Sequence, residues 1–192
     1  MFGIQTTLLE AQDILLGPID HETHADIESR WTYDADFMRS MELTPTQPQS
    51  PASVRLQYTA IEEQMNVQKD LYYFTIRTRE EDRFIGKAML EWIDWTNGNG
   101  YLRLGIAEPG YRGRGYGSQT LNLLLSFAFE ELGMYRVTAV VPAYNREAIH
   151  LFRKFGFMEE VRRRKALYRD DQFWDIISFG LLHAEWREQV CR

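Results

Sequence analysis

Cysteine is almost absent: the 192 residues hold one, Cys191, so no disulfide can form within the chain. A reducing, cytoplasmic setting is the plain expectation. Long apolar runs are also missing. No stretch approaches the roughly 20 apolar residues of a membrane span. Residues 1–13 have neither the basic opening nor the apolar centre of a signal peptide, so no membrane partner is expected. Basic residues are in deficit, 22 Lys and Arg against 28 Asp and Glu, and the net charge of −6 argues against a general DNA or RNA binder. There is no internal repeat and no low-complexity segment. A metal motif is lacking too. His21-Glu22-Thr23-His24 is not H-E-x-x-H, so the two histidines are expected on a helix surface and no metal is expected.

What is present supports a sizeable core: 44% of residues are hydrophobic and 14% aromatic, which fits one domain over residues 1–192. Charge is unevenly spread. Residues 1–70 carry 12 acids and 4 bases, net −8, and residues 71–192 carry 16 acids and 18 bases, net +2.

The chain is organised around residues 101–132. Residues 101–106 are a short apolar run with one arginine, strand-like in length. Arg112-Gly113-Arg114-Gly115-Tyr116-Gly117 follows as a glycine-rich turn. Leu121, Leu124, Leu125, Ala128 and Leu132 then recur at helical spacing. A helix N-terminus has unpaired amides and a partial positive charge. Glycines let a ligand approach its backbone. Strand, turn and helix therefore form an anion site suited to a pyrophosphate, to which Arg112 and Arg114 add charged donors. Two pyrophosphate readings fail. A P-loop needs Gly-Lys-Ser/Thr, and Gly117-Ser118 lacks the lysine. A dinucleotide fingerprint needs G-x-G-x-x-G and an acid about 20 residues on, and residues 136–143 have none.

The turn does match Arg/Gln-x-x-Gly-x-Gly/Ala, and here the chain resembles the GNAT superfamily of N-acetyltransferases. RVTAVVPAYNREAIHLFRKFGF resembles that family's next strand and Asn-initiated helix. ALYRDDQFWDIISFGLLHAEW resembles the close of its RimJ/RimL-type branch. The match runs from about residue 84 to 186. It implies an α/β fold, a mixed and mostly antiparallel twisted sheet with helices on both faces. It implies acetyl-CoA as co-substrate, its pyrophosphate on the loop from Arg112 through Gly113, Arg114, Gly115, Tyr116 and Gly117 to Ser118. The acceptor is then a primary amine, on a protein N-terminus or a small molecule. A non-catalytic acyl-CoA sensor is the alternative. The sequence leaves monomer and homodimer both open.

Along the chain, strands are expected at residues 14–16, 71–78, 84–95, 136–141, 158–168 and 173–182. Helices are expected at residues 21–41, from Asp20 as cap; at 51–65; and at 146–155, capped by Asn145 and ended by Gly156. Pro142 marks the end of the strand before Asn145. The three-proline stretch at residues 44–51 reads as a loop. The cofactor site should lie where the central strand and the strand at residues 136–141 diverge.

Acyl transfer to an amine needs a neutral nucleophile, an oxyanion donor and a departing thiolate. The resemblance assigns the oxyanion donor to the backbone N–H of Ile106, with Leu104 and Gly105 along the pantetheine and Asn145 near that arm. It also leads one to expect a tyrosine acid where this chain has Phe152, which has no proton to give. Tyr144, a water or unassisted departure could take that role. Glu91 alternates with apolar Leu90 and Trp92 on the preceding strand and is the candidate base, ahead of Asp94, Glu28 and Asp34. Asp175 reads equally as an arginine partner or a catalytic group. Arg162-Arg163-Arg164-Lys165 reads as a solvated strand edge or as a contact for a 3′-phosphate or RNA. The acids of residues 1–70 suggest a field that attracts a cationic acceptor. Cys191 lies outside every motif, so direct attack in a ternary complex is expected.

Overall fold

The computed structural model describes residues 8–190; residues 1–7, Cys191 and Arg192 lie outside the described residues. A twisted sheet of seven strands forms the centre. In chain order these are β1 (Ile14–Gly17), β2 (Tyr72–Thr78), β3 (Phe84–Asp94), β4 (Asn99–Ile106), β5 (Arg136–Pro142), β6 (Met158–Arg169) and β7 (Gln172–Leu182). Their spatial order is β1-β2-β3-β4-β5-β7-β6. Every neighbouring pair is antiparallel except β4 and β5. The expected mixed, mostly antiparallel α/β architecture is therefore present.

Helices cover both faces. On one lie α4 (Tyr116–Ser126), extended by a π-turn at Phe127–Glu131, and α5 (Arg146–Lys154). Leu121, Leu124, Leu125 and Ala128 from α4 and its extension pack on Ala88, Leu90, Leu102, Val137 and Ala139 in the main core. The other face carries α1 (His24–Trp31), α2 (Ala35–Met41) and α3 (Pro51–Glu63). Ala25, Val54 and Tyr58 bury against Tyr73 and Met89, while Trp31, Phe37 and Met41 bury against Phe84 and Ala107. Met89 faces one layer and Ala88 and Leu90 the other, the period of two that a sheet covered on both faces requires.

The continuous helix expected over residues 21–41 is two helices. Asp34 adopts an extended conformation and its carboxylate accepts from the Phe37 amide at 3.0 Å, so it caps a new helix where the sequence pattern suggested continuation. Asp20 receives the Glu22 and Thr23 amides and caps the turn ahead of α1. His24 is buried, not on the surface: its ring takes the Asp20 amide at 3.0 Å, and burial lowers its pKa. Ser50 caps α3, with Pro51 in the first turn, as that residue order favours. A further helix, α6 (His183–Val190), follows β7 directly; Trp186 closes the core against Phe129.

One polar cluster pins the α1–α3 layer to the sheet. Glu28 is 6% exposed. Its carboxylate accepts from Lys87 Nζ at 2.6 Å, Tyr58 Oη at 2.7 Å and Tyr73 Oη at 2.8 Å. Burial alone would raise the Glu28 pKa. The Lys87 charge and the three donors outweigh it and hold the carboxyl below its ordinary value. A depressed folded-state pKa gives stability that is full above the unfolded value and lost as pH falls through the folded one. Acid titration of the parent should therefore show a stability loss that begins below about pH 4.5. Glu28→Gln should flatten that segment and cost about 3 kcal/mol at neutral pH, because Lys87 loses its partner. Denaturant melts at pH 3 to 7 measure both; an unchanged slope in the variant would assign the acid sensitivity elsewhere.

Candidate active site

The site begins with a missing pairing. β4 and β5 run parallel only over Asn99–Arg136, Gly100–Val137 and Tyr101–Thr138, then part. β5 stays paired to β7 along its length, and β4 to β3 as far as Ile106. A cleft of about 360 Å³ opens at the divergence. It is lined by Leu104, Gly105, Ile106, Arg112, Gly113 and Gly117 on one side and by Asn145, Ala148 and Leu151 on the other.

Backbone direction in β4 follows from its partner. Ala107 donates its N–H to Ile85 O at 2.8 Å, on the β3 side. Successive residues in a strand point their amides to opposite sides. The N–H and C=O of Ile106 therefore face the gap left by β5. Arg112 reaches the Ile106 carbonyl from that side at 3.0 Å.

The loop between β4 and α4 keeps its glycines for conformation and access. Gly113 and Gly115 have φ of +73° and +88°, and a Cβ on either would meet nothing within 4 Å. The surface above them is open. Gly115 precedes α4 without any side-chain cap, and the first intrahelical bond runs from Gln119 N to Gly115 O. The amides of Tyr116, Gly117 and Ser118 thus have no acceptor within the helix. An open glycine cradle over first-turn amides, continuous with a slot between two strands, fits a pyrophosphate with a linear arm.

The two arginines of the motif part company. Arg114 is exposed, 5.7 Å over the Tyr111 ring, and with Tyr116 it lines a neighbouring cavity rather than the cleft. Arg112, expected as a charged donor to the pyrophosphate, turns inward. It donates to the Ile106 and Ala107 carbonyls and to Asp34 Oδ2 at 2.7 Å. Burial would raise the Asp34 pKa, but the Phe37 amide and Arg112 outweigh it and keep the carboxylate ionised to lower pH.

Asn145 lines the cleft and caps α5, accepting from the Ala148 amide at 3.0 Å. Phe152 is 5% exposed and packs on Phe157 and Phe179; it reaches only a small cavity beneath the cleft. Two candidates are not brought to the cleft. Glu91 pairs across from Tyr101, five residues and about 17 Å along β4 from Ile106. Its carboxylate is held by Arg103 at 2.8 Å, and Glu42 takes the same guanidinium at 2.6 Å. Glu91, expected as the base, is thus held in an ion pair and does not line the cleft. Tyr144 donates its hydroxyl proton to the Arg39 carbonyl at 2.7 Å, so it ties α2 in place, and burial raises its pKa. The weaker carboxylate candidates are also occupied. Asp94 holds the turn at Thr96 and Asn97, and Asp175 takes Arg162 and the Lys165 amide.

Sequence reasoning missed that residues 35–41 form a helix of their own, α2, which walls the cleft. Asp36, Phe37 and Ser40 line it, and a Cβ at Gly105 would collide with Met41 and Phe37. The Asp34 cap, three residues before Phe37, is the one local signal that could have located this helix start.

Comparison with known proteins agrees with this geometry. Residues 13–158 match the acetyltransferase (GNAT) domain family. The SPbeta prophage-derived uncharacterized N-acetyltransferase YokL of Bacillus subtilis is 33% identical over 128 residues, 66% of this chain and 69% of that protein. The spermidine N-acetyltransferase of Vibrio cholerae, solved with CoA and spermine, superposes with a TM-score of 0.79 at 16% identity, covering 91% of this chain and 98% of that one. RimL, the ribosomal L7/L12 alpha-N-protein acetyltransferase solved with CoA, superposes with a TM-score of 0.78 at 14% identity, covering 90% and 95%.

The loop makes a prediction of its own. Gly115→Asp would add strain at positive φ and a negative charge against the first-turn amides. Calorimetry should show acetyl-CoA binding in the parent and at least a tenfold loss in the folded variant; equal affinity would remove the loop from the binding site. With a strand divergence, an open glycine cradle and the match over residues 13–158, the chain belongs to the GNAT family of acetyltransferases and transfers acetyl groups from acetyl-CoA to an amine.

Proposed function

We propose that the acceptor is a single primary amine, on a protein N-terminus or a small molecule, that attacks acetyl-CoA directly in a ternary complex. The observation that carries this reading is the gap-facing amide of Ile106 at the end of a strand that has lost its neighbour. In the proposed arrangement the acyl carbonyl accepts from Ile106 N–H and the pantetheine runs beside Leu104 and Gly105. The pyrophosphate sits on the amides from Gly113 to Ser118, and Asn145 borders the arm. The amine nitrogen forms a bond to the acyl carbon, the oxyanion is held by Ile106 N–H, and collapse expels the thiolate. A thiol pKa near 8.5 lets that group leave without a dedicated acid, in keeping with Phe152 and with the engaged hydroxyl of Tyr144. Asp36 and Glu147 line the cleft and have no ion-pair partner among the described residues; they are the carboxylates available to pass the ammonium proton to water.

Charge pairing supports a single ammonium over a polyamine. Of the acids in residues 1–70, Glu28, Asp34 and Glu42 each hold a cation, Lys87, Arg112 and Arg103, while Asp36 lines the cleft with no ion-pair partner among the described residues. Glu10 and Asp26 are likewise paired, with Arg79 and Arg55. Pairing thus weakens the negative field suggested by composition and leaves Asp36 as the unpaired acid of residues 1–70 that lines the cleft, enough for one ammonium.

An amine panel read by mass spectrometry tests the proposal. It should hold peptides with free N-termini, monoamines and spermidine. Acetylated product is expected from single amines, with kcat/KM changing less than about threefold as salt rises beyond the screening of a surface field. A tenfold preference for spermidine that collapses with salt would overturn the single-amine reading. Acetyl-CoA binding with no product from any amine would favour a sensor.

A further inference from the structure

We infer that Arg112 is a positioning residue for acyl transfer and not a ligand of the pyrophosphate: it fixes the end of β4 so that Ile106 N–H faces the acyl carbonyl, with Asp34 as its counter-ion. The inference rests on the oxyanion role proposed for Ile106.

Beyond Tyr101 the gap side of β4 has no strand to satisfy it. Backbone carbonyls there need other donors. Arg112 supplies one at the strand end. Its Nε donates to Ile106 O at 3.0 Å, and its Nη2 donates to Ala107 O at 2.5 Å and to Asp34 Oδ2 at 2.7 Å. One planar fork therefore clamps the last carbonyl of β4 and that of Ala107, which lies just beyond the strand. Within a strand residue the N–H and C=O point the same way, so holding the Ile106 carbonyl also aims its amide. At the strand end the arginine stands in for the absent strand as donor to the Ile106 carbonyl and leaves the Ile106 N–H free for a ligand.

The same bonds argue against a pyrophosphate role. Nε has one hydrogen and Nη2 has two, and all three are committed. Only Nη1 has no acceptor among the described residues. A pyrophosphate oxygen at Nη2 would have to displace the Asp34 carboxylate, which is itself fixed by the Phe37 amide at 3.0 Å. Asp34 also joins this clamp to α2, whose Phe37 and Met41 press on Gly105. The strand end is thus held by the arginine from the loop side and by α2 from above. A lysine could not replace the fork, because one ammonium cannot lie in plane with both carbonyls and the carboxylate.

Amide NMR of the labelled protein with CoA and with acetyl-CoA tests this, alongside turnover of an amine from the panel. In the parent, both ligands should shift the Gly117 and Ser118 amides, and acetyl-CoA alone should shift Ile106. In Arg112→Met, the Gly117 and Ser118 shifts should persist with acetyl-CoA Kd within threefold. The acetyl-specific Ile106 shift should vanish and kcat should fall at least tenfold. Arg112→Lys should behave as Arg112→Met does, since charge without the fork is not enough. An affinity loss beyond threefold in Arg112→Met, or an Ile106 shift that survives there, would overturn the inference. Asp34→Asn retains a capping side chain for α2 and decides the matter if Arg112→Met does not fold. It should lower kcat at least threefold with Kd unchanged or tighter; a weaker Kd with unchanged kcat would return Arg112 to the pyrophosphate. If the parent acetylates no amine, the proposed function fails, while the Ile106 shift and its dependence on Arg112 still decide this point separately.

Discussion

The constraint on which the rest of the molecule depends is the end of pairing between β4 and β5 after Tyr101 and Thr138. Backbone polar groups inside a protein must find partners. β5 solves this by turning to β7, with which it pairs over all seven of its residues. β4 keeps β3 on one side and is left open on the other. Every feature of the site is a response to that opening. The glycine loop follows at once, α4 presents unpaired amides beside it, and Arg112 takes the exposed carbonyls. At the strand end the donors left free are the Ile106 amide and the first-turn amides of α4, which is the polarity that a thioester carbonyl and a pyrophosphate need.

The opening would be unstable without a roof, and the roof is held by a different kind of interaction from the core beneath. Under α4 and α5 the packing is almost wholly apolar. Over β2, β3 and β4 the helices α1, α2 and α3 bury fewer apolar groups and are held by charge pairs: Glu28 with Lys87, Asp34 with Arg112, Glu42 with Arg103. Such pairs add little net stability, because desolvation offsets attraction, but losing one partner is costly. They fix which face of each helix meets the sheet. Here they set α2 across Gly105 and leave a cleft on its outer flank. The same pairing weakens the acidic field that composition alone suggested.

Local signals were strong enough to give the elements. Gly113, Gly115 and Gly117 after an apolar strand, Asn145 ahead of an amphipathic helix, Pro142 at a strand end and Ser50-Pro51 at a helix start each act through neighbouring residues. Each stands where the sequence put it. The errors have local causes too. The apolar spacing of residues 21–41 continues through Asp34, but its cap on Phe37 wins over propensity. His24 looked like a surface residue because its partner is a backbone amide, which no residue type announces. Helix α6 begins directly after β7, with no turn residue to mark the change.

By itself the sequence determined the sheet-and-helix order, the anion-binding turn and the resemblance to acetyltransferases, because those follow from periodicity, capping and spacing over a few residues. Only the tertiary structure decided the fate of the charged side chains. Glu91 meets Arg103, Tyr144 meets the carbonyl of Arg39, and Arg112 meets Asp34 across 78 positions. Glu28 gathers Tyr58, Tyr73 and Lys87 from 30 to 59 residues away. A charge has no periodicity, and its role depends on which opposite charge the fold brings within about 3 Å. That is a property of the packed layers and not of any stretch of chain.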